Sequence, residues 1–286
     1  MKQQSALGKS ITIIGGNGLM GQLFTKYWRD AGATVNALGR KDWSNAPELL
    51  SKSDMVIVCV PIKDTLDIIT KACQFINQHT ILADFTSIKQ TIINHMQECH
   101  SGPVLGLHPM FGPTISTPKS QVIINCGGRD IEKSAWVIDS LVEIGFTLRN
   151  MQAGEHDLAM SFIQGIEHFS TFALGSFLKE QGIHPRELFG MASPIYQAKL
   201  ALLGRIFDQD ANLYADIIMS DTKRIELISA YIKHLQDWLE KLKENKREEF
   251  VTEFNDTSKW MGDFTLQSQL ASDQFLNEVS NSFKLK

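Results

Sequence analysis

The sequence predicts a protein of the α/β class, in which a mostly parallel sheet domain is followed by an all-α domain. Residues 1–150 alternate short apolar runs with helical patterns, which is typical of parallel strands that helices cover on both faces. From residue 151 to residue 286 the patterns are long and helical, and the prolines there, Pro185 and Pro194, fit helix boundaries. We therefore predict two domains, 1–150 and 151–286, which a chain of 286 residues has room to form.

Strands and helices of the first half are predicted from short apolar runs and from apolar residues at helical spacing. The strand candidates are Ser10–Ile14, Thr34–Leu38, Met55–Val60, Thr80–Asp84, Val104–Leu107, Gln121–Asn125 and Phe146–Arg149. The helix candidates between them are Leu19–Asp30, Thr65–Asn77, Lys89–Glu98 and Ile131–Ile144.

The second half does not extend the sheet, because its patterns are helical throughout. One segment, Ser229–Lys246, is clearly amphipathic and carries Ile232, Leu235, Leu239 and Leu242 at helical spacing. Several helices with apolar faces in one terminal domain predict that some faces are buried against a second subunit. We expect this half to be a substrate domain, a dimerisation domain, or both.

The first strand ends at a glycine-rich turn that opens the first helix. Gly16, Gly18 and Gly21 match the pattern Gly-x-Gly-x-x-Gly. In that pattern the glycines permit a tight turn, a close approach to a pyrophosphate, and close packing of helix on strand, with the helix N-terminus facing the phosphate charge. The turn predicts a Rossmann-type domain that binds a nicotinamide dinucleotide, and an ordinary glycine-rich turn is the alternative. The candidate coenzyme contacts are Gly16, Asn17, Gly18, Leu19, Met20 and Gly21.

The end of the second strand leaves the choice between NAD and NADP open. An acidic residue roughly 20 positions after the glycines is usual for NAD, but Gly39 stands at that position and Arg40 follows. Arg40 either grips a 2′-phosphate, which favours NADP, or stacks on the adenine. Asp42 is a further candidate for the ribose hydroxyl. The third strand ends at Val60 and Pro61, which we expect at the edge where the nicotinamide lies.

Composition argues against several other classes of protein. The net charge of −4 offers no basic field for nucleic acid. No apolar run approaches the roughly 20 residues that a membrane helix needs, and Met1–Lys9 has no apolar signal core. Cys59, Cys73, Cys99 and Cys126 are widely spaced and predict neither a disulfide framework nor a metal site. We therefore expect a cytoplasmic protein that binds neither nucleic acid nor membrane.

Polar residues follow the fourth and fifth strands, at the sheet edge where ligands of parallel sheets bind. The fourth strand ends in Asp84, and Thr86, Ser87 and Lys89 follow it. Helix capping by Thr86 or Ser87 and contact with a ligand are equally good interpretations. His108 follows the fifth strand and precedes a Pro/Gly loop. It is either a solvated loop histidine or a group for proton transfer near neutral pH, which the ordinary histidine pKa of about 6.5 suits.

The helical half contributes further polar candidates. A set of residues at four-residue spacing is expected on one face of one helix, lining a polar cavity or forming a wet surface stripe. These residues are His156, Met160, Gln164 and His168. Their separation does not favour a metal site. Arg205 lies among apolar residues and is expected to need an anionic partner, either a buried carboxylate or a substrate.

Together with these residues, several longer segments make the chain resemble the prephenate dehydrogenases of tyrosine synthesis. It is most similar to the dehydrogenase part of chorismate mutase–prephenate dehydrogenase fusions, and the resemblance covers nearly the whole chain. The segments are GGNGLMG (15–21), VLGLHPMFGP (104–113), EHD (155–157), FIQGIEHF (162–169), SPIY (193–196), GRIF (204–207) and LYADIIMS (213–220).

The resemblance implies an NAD-dependent oxidative decarboxylation of prephenate to 4-hydroxyphenylpyruvate. In such enzymes the histidine that matches His108 accepts the proton of the C4 hydroxyl, and the serine that matches Ser87 bonds that hydroxyl and orients the histidine. Arg205 matches the arginine that binds the substrate carboxylate, and Lys89 is expected to add a second cationic contact. Inhibition by tyrosine and a homodimer formed through the helical domain are also implied. The residues implied to line the substrate or tyrosine cavity are His156, Gln164, His168 and Tyr214.

The chain departs from the resembled pattern at two positions. Gly39 stands where relatives often carry an acid, so NAD is implied by the subgroup and Arg40 keeps NADP open. Gln197 stands where relatives often carry an arginine, so one contact to the substrate or inhibitor is absent. The mutase helices of the fused relatives are not in this sequence, which is expected to be a monofunctional enzyme or an excised fragment.

Two rival interpretations remain at this point. A β-hydroxyacid dehydrogenase has the same two-part organisation but needs a lysine on the first long helix of its second half, and no lysine occurs between Gly154 and Leu178. A dinucleotide-sensing dimer without turnover would leave His108, Ser87 and Arg205 without a role.

Overall fold

A computed structural model of the chain describes residues 4–282. The chain divides into two compact units, Met1–Met160 and Ser161–Lys286. The first contains the sheet and the second is helical, as the sequence predicts. The division falls after Met160, so the first helix that follows residue 151 belongs with the sheet unit.

The sheet of the first unit has seven strands within the described residues, in the order β2-β1-β3-β4-β5-β6-β7. Neighbouring strands are parallel except for β5 and β6, which are antiparallel. The order reverses direction at β1 and β3, which creates the crevice at which parallel sheets bind ligands. The strands are β1 (Ser10–Ile14), β2 (Thr34–Leu38), β3 (Met55–Val58), β4 (Ile81–Asp84), β5 (Val104–Pro109), β6 (Val122–Gly127) and β7 (Thr147–Asn150).

Helices cover both faces of this sheet and match the predicted ones with shifted ends. The predicted helix Thr65–Asn77 begins three residues earlier, at Ile62, because Pro61 directly precedes its first turn. The predicted helix Ile131–Ile144 is divided into a 3₁₀ turn, Ile131–Ser134, and an α-helix. The helices are α1 (Leu19–Asp30), α2 (Ala46–Ser51), α3 (Ile62–Cys73), α4 (Gln90–Cys99), α5 (Ala135–Ile144) and α6 (Ala153–Met160).

Two structured segments between β2 and β3 were not predicted from the sequence, a 3₁₀ helix and α2. A 3₁₀ helix, Arg40–Asn45, follows β2 and leads into α2. Its residues are mostly polar and show no helical apolar period, so the pattern predicts no helix there. Because of this turn, Arg40 and Asp42 lie on an ordered element at the end of β2.

The core of the first unit lies on both sides of the sheet. On one side an aromatic cluster packs between α1 and the strands: the rings of Phe24 and Phe85 are 4.4 Å apart, and those of Phe111 and Phe146 are 5.3 Å apart. Trp28 is fully buried beside them, and its indole N–H donates to the Ser140 hydroxyl at 3.1 Å. This packing fixes α1, and therefore the glycine turn that opens it, against the sheet.

The second unit is helical throughout its described part. It opens with a π-helical segment, Ser161–Ile166, and α11 extends the predicted amphipathic segment at its N-terminal end. Pro185 and Pro194 occupy the first turns of α8 and α9, as expected. The helices are α7 (Glu167–Glu180), α8 (Pro185–Phe189), α9 (Pro194–Phe207), α10 (Ala211–Ile218), α11 (Thr222–Lys243), α12 (Arg247–Met261) and α13 (Phe264–Ser282).

Among residues 4–282, no helix is both long enough and apolar enough to cross a membrane.

Candidate active site

The glycine turn after β1 is shaped by close backbone contacts. A Cβ atom added to Gly16 would lie 2.7 Å from Ala37, and one added to Gly21 would lie 2.6 Å from the carbonyl oxygen of Gly15. Gly15 itself has a φ of +86°. Gly18 is exposed and begins α1, whose first turn carries neither a side-chain cap nor an acidic residue. The first N–H groups of α1 therefore face an uncapped, non-acidic position, which suits a phosphate group.

A cleft of about 590 Å³ lies beside this turn, at the carboxyl ends of the first three strands. This volume falls in the range of small-molecule sites. The residues that line it include Gly15, Gly18, Gly39, Arg40, Val60 and Pro61. A dinucleotide fits this cradle, since the glycines admit a close approach and α1 offers its N-terminus.

Asp42 lies over Gly39 at the end of β2. The carboxylate oxygen of Asp42 would be 3.1 Å from a Cβ added to Gly39, and the amide of Asn17 would be 2.4 Å from it. A longer side chain at position 39 would therefore displace Asn17. Arg40 is largely exposed, and its guanidinium lies 3.7 Å from the Asp64 carboxylate.

The loop after β4 is held by a buried ion pair. The ammonium of Lys89 pairs with the Asp84 carboxylate, and both side chains are fully buried. The same carboxylate oxygen accepts hydrogen bonds from the backbone N–H and the hydroxyl of Thr86. The expectation that Lys89 contacts the substrate is therefore corrected, because its charge is neutralised inside the unit by Asp84.

Ser87 occupies the same loop and is nearly buried. Its hydroxyl oxygen has no hydrogen-bond partner among the described residues. Neither Ser87 nor Thr86 caps α4, so the capping interpretation is wrong for both. A buried hydroxyl without a partner is costly unless a ligand or water satisfies it.

His108 lies inside β5, where it pairs with Ile124 of β6, and it is 4% exposed. The interpretation as a solvated loop histidine is therefore wrong. Its Nδ1 lies 2.8 Å from Nε2 of His156, which is fully buried. The Nδ1 of His156 in turn lies 2.8 Å from the carboxylate of Asp157.

The side chain of Asp157 caps the N-terminus of α4. Its two carboxylate oxygens accept hydrogen bonds from the backbone N–H groups of Lys89 and Gln90, at 2.8 and 2.9 Å. Burial alone would raise the pKa of Asp157, but the hydrogen bonds from His156 and from these two N–H groups lower it below the ordinary value. Asp157 is therefore ionised at neutral pH.

The four residues predicted on one helical face, three of them polar, fall in three successive helical elements. The π-helical segment Ser161–Ile166 interrupts the 3.6-residue period between them, and a shared face stays a prediction. His156 and Met160 lie in α6 and are buried in the first unit. Gln164 lies in the π-helical segment and His168 in α7, both in the second unit.

His168 and Tyr214 contact each other in the helical unit, with ring centroids 4.9 Å apart. Burial lowers the pKa of His168, and the nearby Arg224 acts in the same direction, so the ring is neutral near pH 7. Burial raises the pKa of Tyr214, because it also disfavours the charged form of this side chain. The positive charge of Arg205 only partly opposes the shift. Nδ1 of His168 is buried without a hydrogen-bond partner in the described part of the chain.

The buried arginine of the helical unit is not the predicted one. Arg205 is exposed, so the expectation that it needs a partner because of burial is corrected. Arg224 is 1% exposed instead, and its guanidinium donates to the carbonyl oxygen of Ile217. It packs against the π-helical segment, where a Cβ added to Gly165 would lie 2.7 Å from the Arg224 side chain. Gln197, at the position where an arginine was expected, donates to the carbonyl oxygen of Phe189 at 3.2 Å.

Sequence reasoning missed the roles of Asp157 and Arg224. Asp157 stands beside His156 in the segment EHD. Nothing in the local sequence shows that its carboxylate caps a helix that begins 67 residues earlier. Arg224 looks in sequence like one of several surface cations of a long helix. The described residues contain no cluster of His, Cys, Asp and Glu that could hold a metal ion.

Comparisons with known proteins agree with this arrangement. The family model "Prephenate dehydrogenase, nucleotide-binding domain" matches residues 23–122, and the model "Prephenate dehydrogenase, dimerization domain" matches residues 152–256. The T-protein of Haemophilus influenzae is 39% identical over 271 residues, which is 95% of this chain and 72% of that protein. The T-protein of Enterobacter agglomerans is 38% identical over 96% of this chain and 73% of its own length.

This chain belongs to the prephenate dehydrogenase family. His108 and Ser87 fall within the first matched range, and Arg205 and Tyr214 within the second. Membership makes the protein an oxidoreductase with a nicotinamide-nucleotide domain, which confirms the predicted fold class and resemblance.

A solved structure supports the fold independently. The prephenate dehydrogenase of Aquifex aeolicus, solved in complex with hydroxyphenyl propionate and NAD+, has a TM-score of 0.68 with this chain. The two share 16% sequence identity, and the alignment covers 87% of this chain and 96% of that one. At this identity the likeness concerns the fold alone.

The buried pair of this family member makes a testable prediction. Replacing Lys89 with Met leaves the Asp84 carboxylate buried and unpaired, so we expect the free energy of unfolding to fall by about 3–5 kcal/mol. The double variant Lys89→Met with Asp84→Asn is expected to recover much of that loss, because no charge then remains buried. Urea unfolding followed by circular dichroism measures both. If Lys89→Met instead left stability unchanged and only raised KM, Lys89 would be a substrate contact.

Proposed function

We propose that the protein is an NAD-dependent prephenate dehydrogenase that converts prephenate to 4-hydroxyphenylpyruvate and CO2 in tyrosine synthesis. The observation that carries the proposal is the position of His108 near the carboxyl end of β5, beside the loop of the neighbouring strand β4 that holds Ser87. A buried imidazole and a buried hydroxyl therefore lie on neighbouring strand ends, at the edge where parallel sheets bind ligands. The hydroxyl has no partner among the described residues.

The chemistry assigns a task to each of these side chains. His108 accepts the proton of the C4 hydroxyl of prephenate as that carbon is oxidised, and Ser87 hydrogen-bonds the same oxygen. A nicotinamide held beside Val60 and Pro61 would supply the acceptor for the hydride from C4. Loss of CO2 from C1 then leaves its electron pair in the ring, which becomes aromatic, and His108 returns the proton to the C4 oxygen. No net proton is released, so His108 begins and ends each turnover unprotonated.

We assign the coenzyme as NAD on the arrangement at the end of β2. Asp42 places its carboxylate where a side chain at position 39 would extend, and so substitutes for the missing acid as acceptor for the ribose 2′-hydroxyl. Arg40 is countered by Asp64, which lowers its attraction for a 2′-phosphate. The other proposed contacts are Gly16, Asn17, Gly18, Leu19, Met20 and Gly21 in the turn, with Val60 and Pro61 after β3.

We also propose that the helical unit binds the carboxylate ends of prephenate and of the inhibitor tyrosine. Arg205 supplies the exposed cation, and its field reaches Tyr214. His168 and Tyr214 form an aromatic pair. Together with Gln164, they offer polar atoms to a hydroxyphenyl ring and its side chain.

The coenzyme assignment is tested by absorbance at 340 nm with prephenate and either NAD or NADP. We expect turnover with NAD, and kcat/KM for NAD at least tenfold above that for NADP. The variant Asp42→Asn is expected to raise KM for NAD about tenfold, since a hydrogen bond to a charged group contributes about 1.5–3 kcal/mol. Asp64→Asn serves as the matched carboxylate change and is expected to improve use of NADP instead. Turnover with NADP alone would overturn the assignment, and none with either would overturn the proposed function.

The role of His108 is tested by His108→Asn. We expect kcat to fall by at least about 100-fold with little change in prephenate binding, because a positioned base contributes about two to four orders of magnitude. His79→Asn, an exposed histidine of the same unit, is the control and is expected to leave kcat unchanged. Near-normal turnover of His108→Asn would remove His108 from the mechanism.

Arg205→Gln tests the carboxylate site. We expect the variant to raise KM for prephenate and the inhibitory concentration of tyrosine, each about tenfold or more, because both ligands lose the same charged hydrogen bond. Lys199→Gln removes an exposed cation from the same helix and is the control. Unchanged values for both ligands would exclude Arg205 from binding.

We propose in addition that the protein is a homodimer formed through the helical unit. The match to a dimerisation domain supports this, as do large exposed apolar side chains on its last helices, including Phe254 and Trp260. Light scattering at micromolar concentration is expected to give twice the chain mass of 32.1 kDa. Phe254→Glu is expected to weaken the dimer, whereas Thr252→Glu, two positions away on the same helix, is the control. A monomer at that concentration would reject the proposal.

A further inference from the structure

Three side chains of the first unit form a continuous hydrogen-bonded series. Nδ1 of His108 lies 2.8 Å from Nε2 of His156, and Nδ1 of His156 lies 2.8 Å from Oδ1 of Asp157. His156 is fully buried. Its two ring nitrogens are both engaged by protein groups, one on each side.

The orientation of every hydrogen in the series follows from Asp157. An ionised carboxylate has no hydrogen to donate, so the backbone N–H groups of Lys89 and Gln90 and the Nδ1–H of His156 all donate to it. A neutral His156 with its hydrogen on Nδ1 has a lone pair on Nε2. That lone pair accepts a hydrogen from Nδ1 of His108, which leaves the His108 lone pair on Nε2.

We propose that His156 and Asp157 are positioning residues for the reaction of His108. They hold the imidazole of His108 in the tautomer whose Nε2 accepts the substrate proton, and they stabilise the imidazolium that forms. This inference rests on the proposed function, in which His108 is the base. The same logic governs the Asp–His pair of serine hydrolases, where changing the carboxylate to an amide lowers kcat about 10⁴-fold through the wrong tautomer.

Asp157 supplies the negative charge of the series, because the other titratable groups near it are paired or uncharged. Asp84 and Lys89 neutralise each other in the adjacent loop. The thiol of Cys126 on β6 lies near Lys89, Asp157 and Asp84, and burial raises its pKa to about 11, so it is uncharged at neutral pH. The imidazolium of His108 therefore gains its compensation from Asp157 through His156.

The first experiment observes the tautomer directly and does not require turnover. Nitrogen-15 NMR of histidine-labelled protein at pH 8, with the His108 signals identified by their loss in His108→Asn, reports which ring nitrogen carries hydrogen. We expect Nδ1 to be protonated in the native protein. In Asp157→Asn the amide can donate to His156, which reverses the series, and we expect the His108 hydrogen on Nε2. A native protein with the hydrogen on Nε2 would overturn the proposal.

The second experiment is a double-variant cycle in kcat. We expect Asp157→Asn to lower kcat by at least about 100-fold with KM for prephenate changed less than about threefold, and to move the acid limb of the pH profile to lower pH. In a His156→Gln background, Asp157→Asn is expected to have no further effect on kcat. The Asp157→Asn effect on unfolding is expected in both backgrounds, because it reflects the contacts with α4.

Each result separates the possibilities. An equal loss of kcat in both backgrounds would assign Asp157 a purely structural role at α4 and overturn the inference. If the native protein does not oxidise prephenate, the proposed function fails, and the NMR result still decides whether the series orients His108.

Discussion

The carboxylate of Asp157 is the interaction on which the candidate active site depends. It lies in α6, yet it accepts the first N–H groups of α4 and a hydrogen bond from His156. The loop before α4 does not provide this cap itself. Oδ2 of Asp84 is engaged by Lys89 and Thr86, and the Thr86 and Ser87 side chains make no capping bond to α4. One acceptor from a distant part of the chain therefore fixes both the helix that follows Ser87 and the histidine that contacts His108.

The buried carboxylate of Asp84 and the partly buried carboxylate of Asp157 differ in effect because their surroundings differ. Asp84 is matched by a full positive charge and contributes little net field beyond its loop. Asp157 accepts hydrogen bonds from two backbone N–H groups and from the His156 ring, and these bonds lower its pKa. An uncancelled charge near a base makes the protonated base easier to form. An unpaired Lys89 ammonium nearby would oppose this effect, and its pairing with Asp84 removes that opposition.

The sequence predicted the fold well because its signals are local. The glycine turn, the apolar strands and the prolines at α8 and α9 each act within a few residues of where they stand. His108 and Ser87 were found for the same reason, since both directly follow strand signals. The errors concern burial and long-range pairing. Lys89 and Arg205 are both cations in sequence, but only tertiary packing decides that Lys89 meets Asp84 and that Arg205 stays exposed. The π-helical segment was not predicted, because the pattern of this half indicates helix without distinguishing its type.

Two of the groups assigned to ligands share a property that folding alone does not explain. The Ser87 hydroxyl oxygen and Nδ1 of His168 are buried without a hydrogen-bond partner among the described residues. Each such atom costs about 1–3 kcal/mol of stability if it stays unsatisfied. If these positions were selected for stability alone, apolar side chains of similar shape would be expected there instead of a hydroxyl and an imidazole. Retaining both is understandable if a bound molecule supplies the missing partners. Their cost to the free protein then becomes binding free energy, and ligand binding stabilises the folded state by the usual linkage.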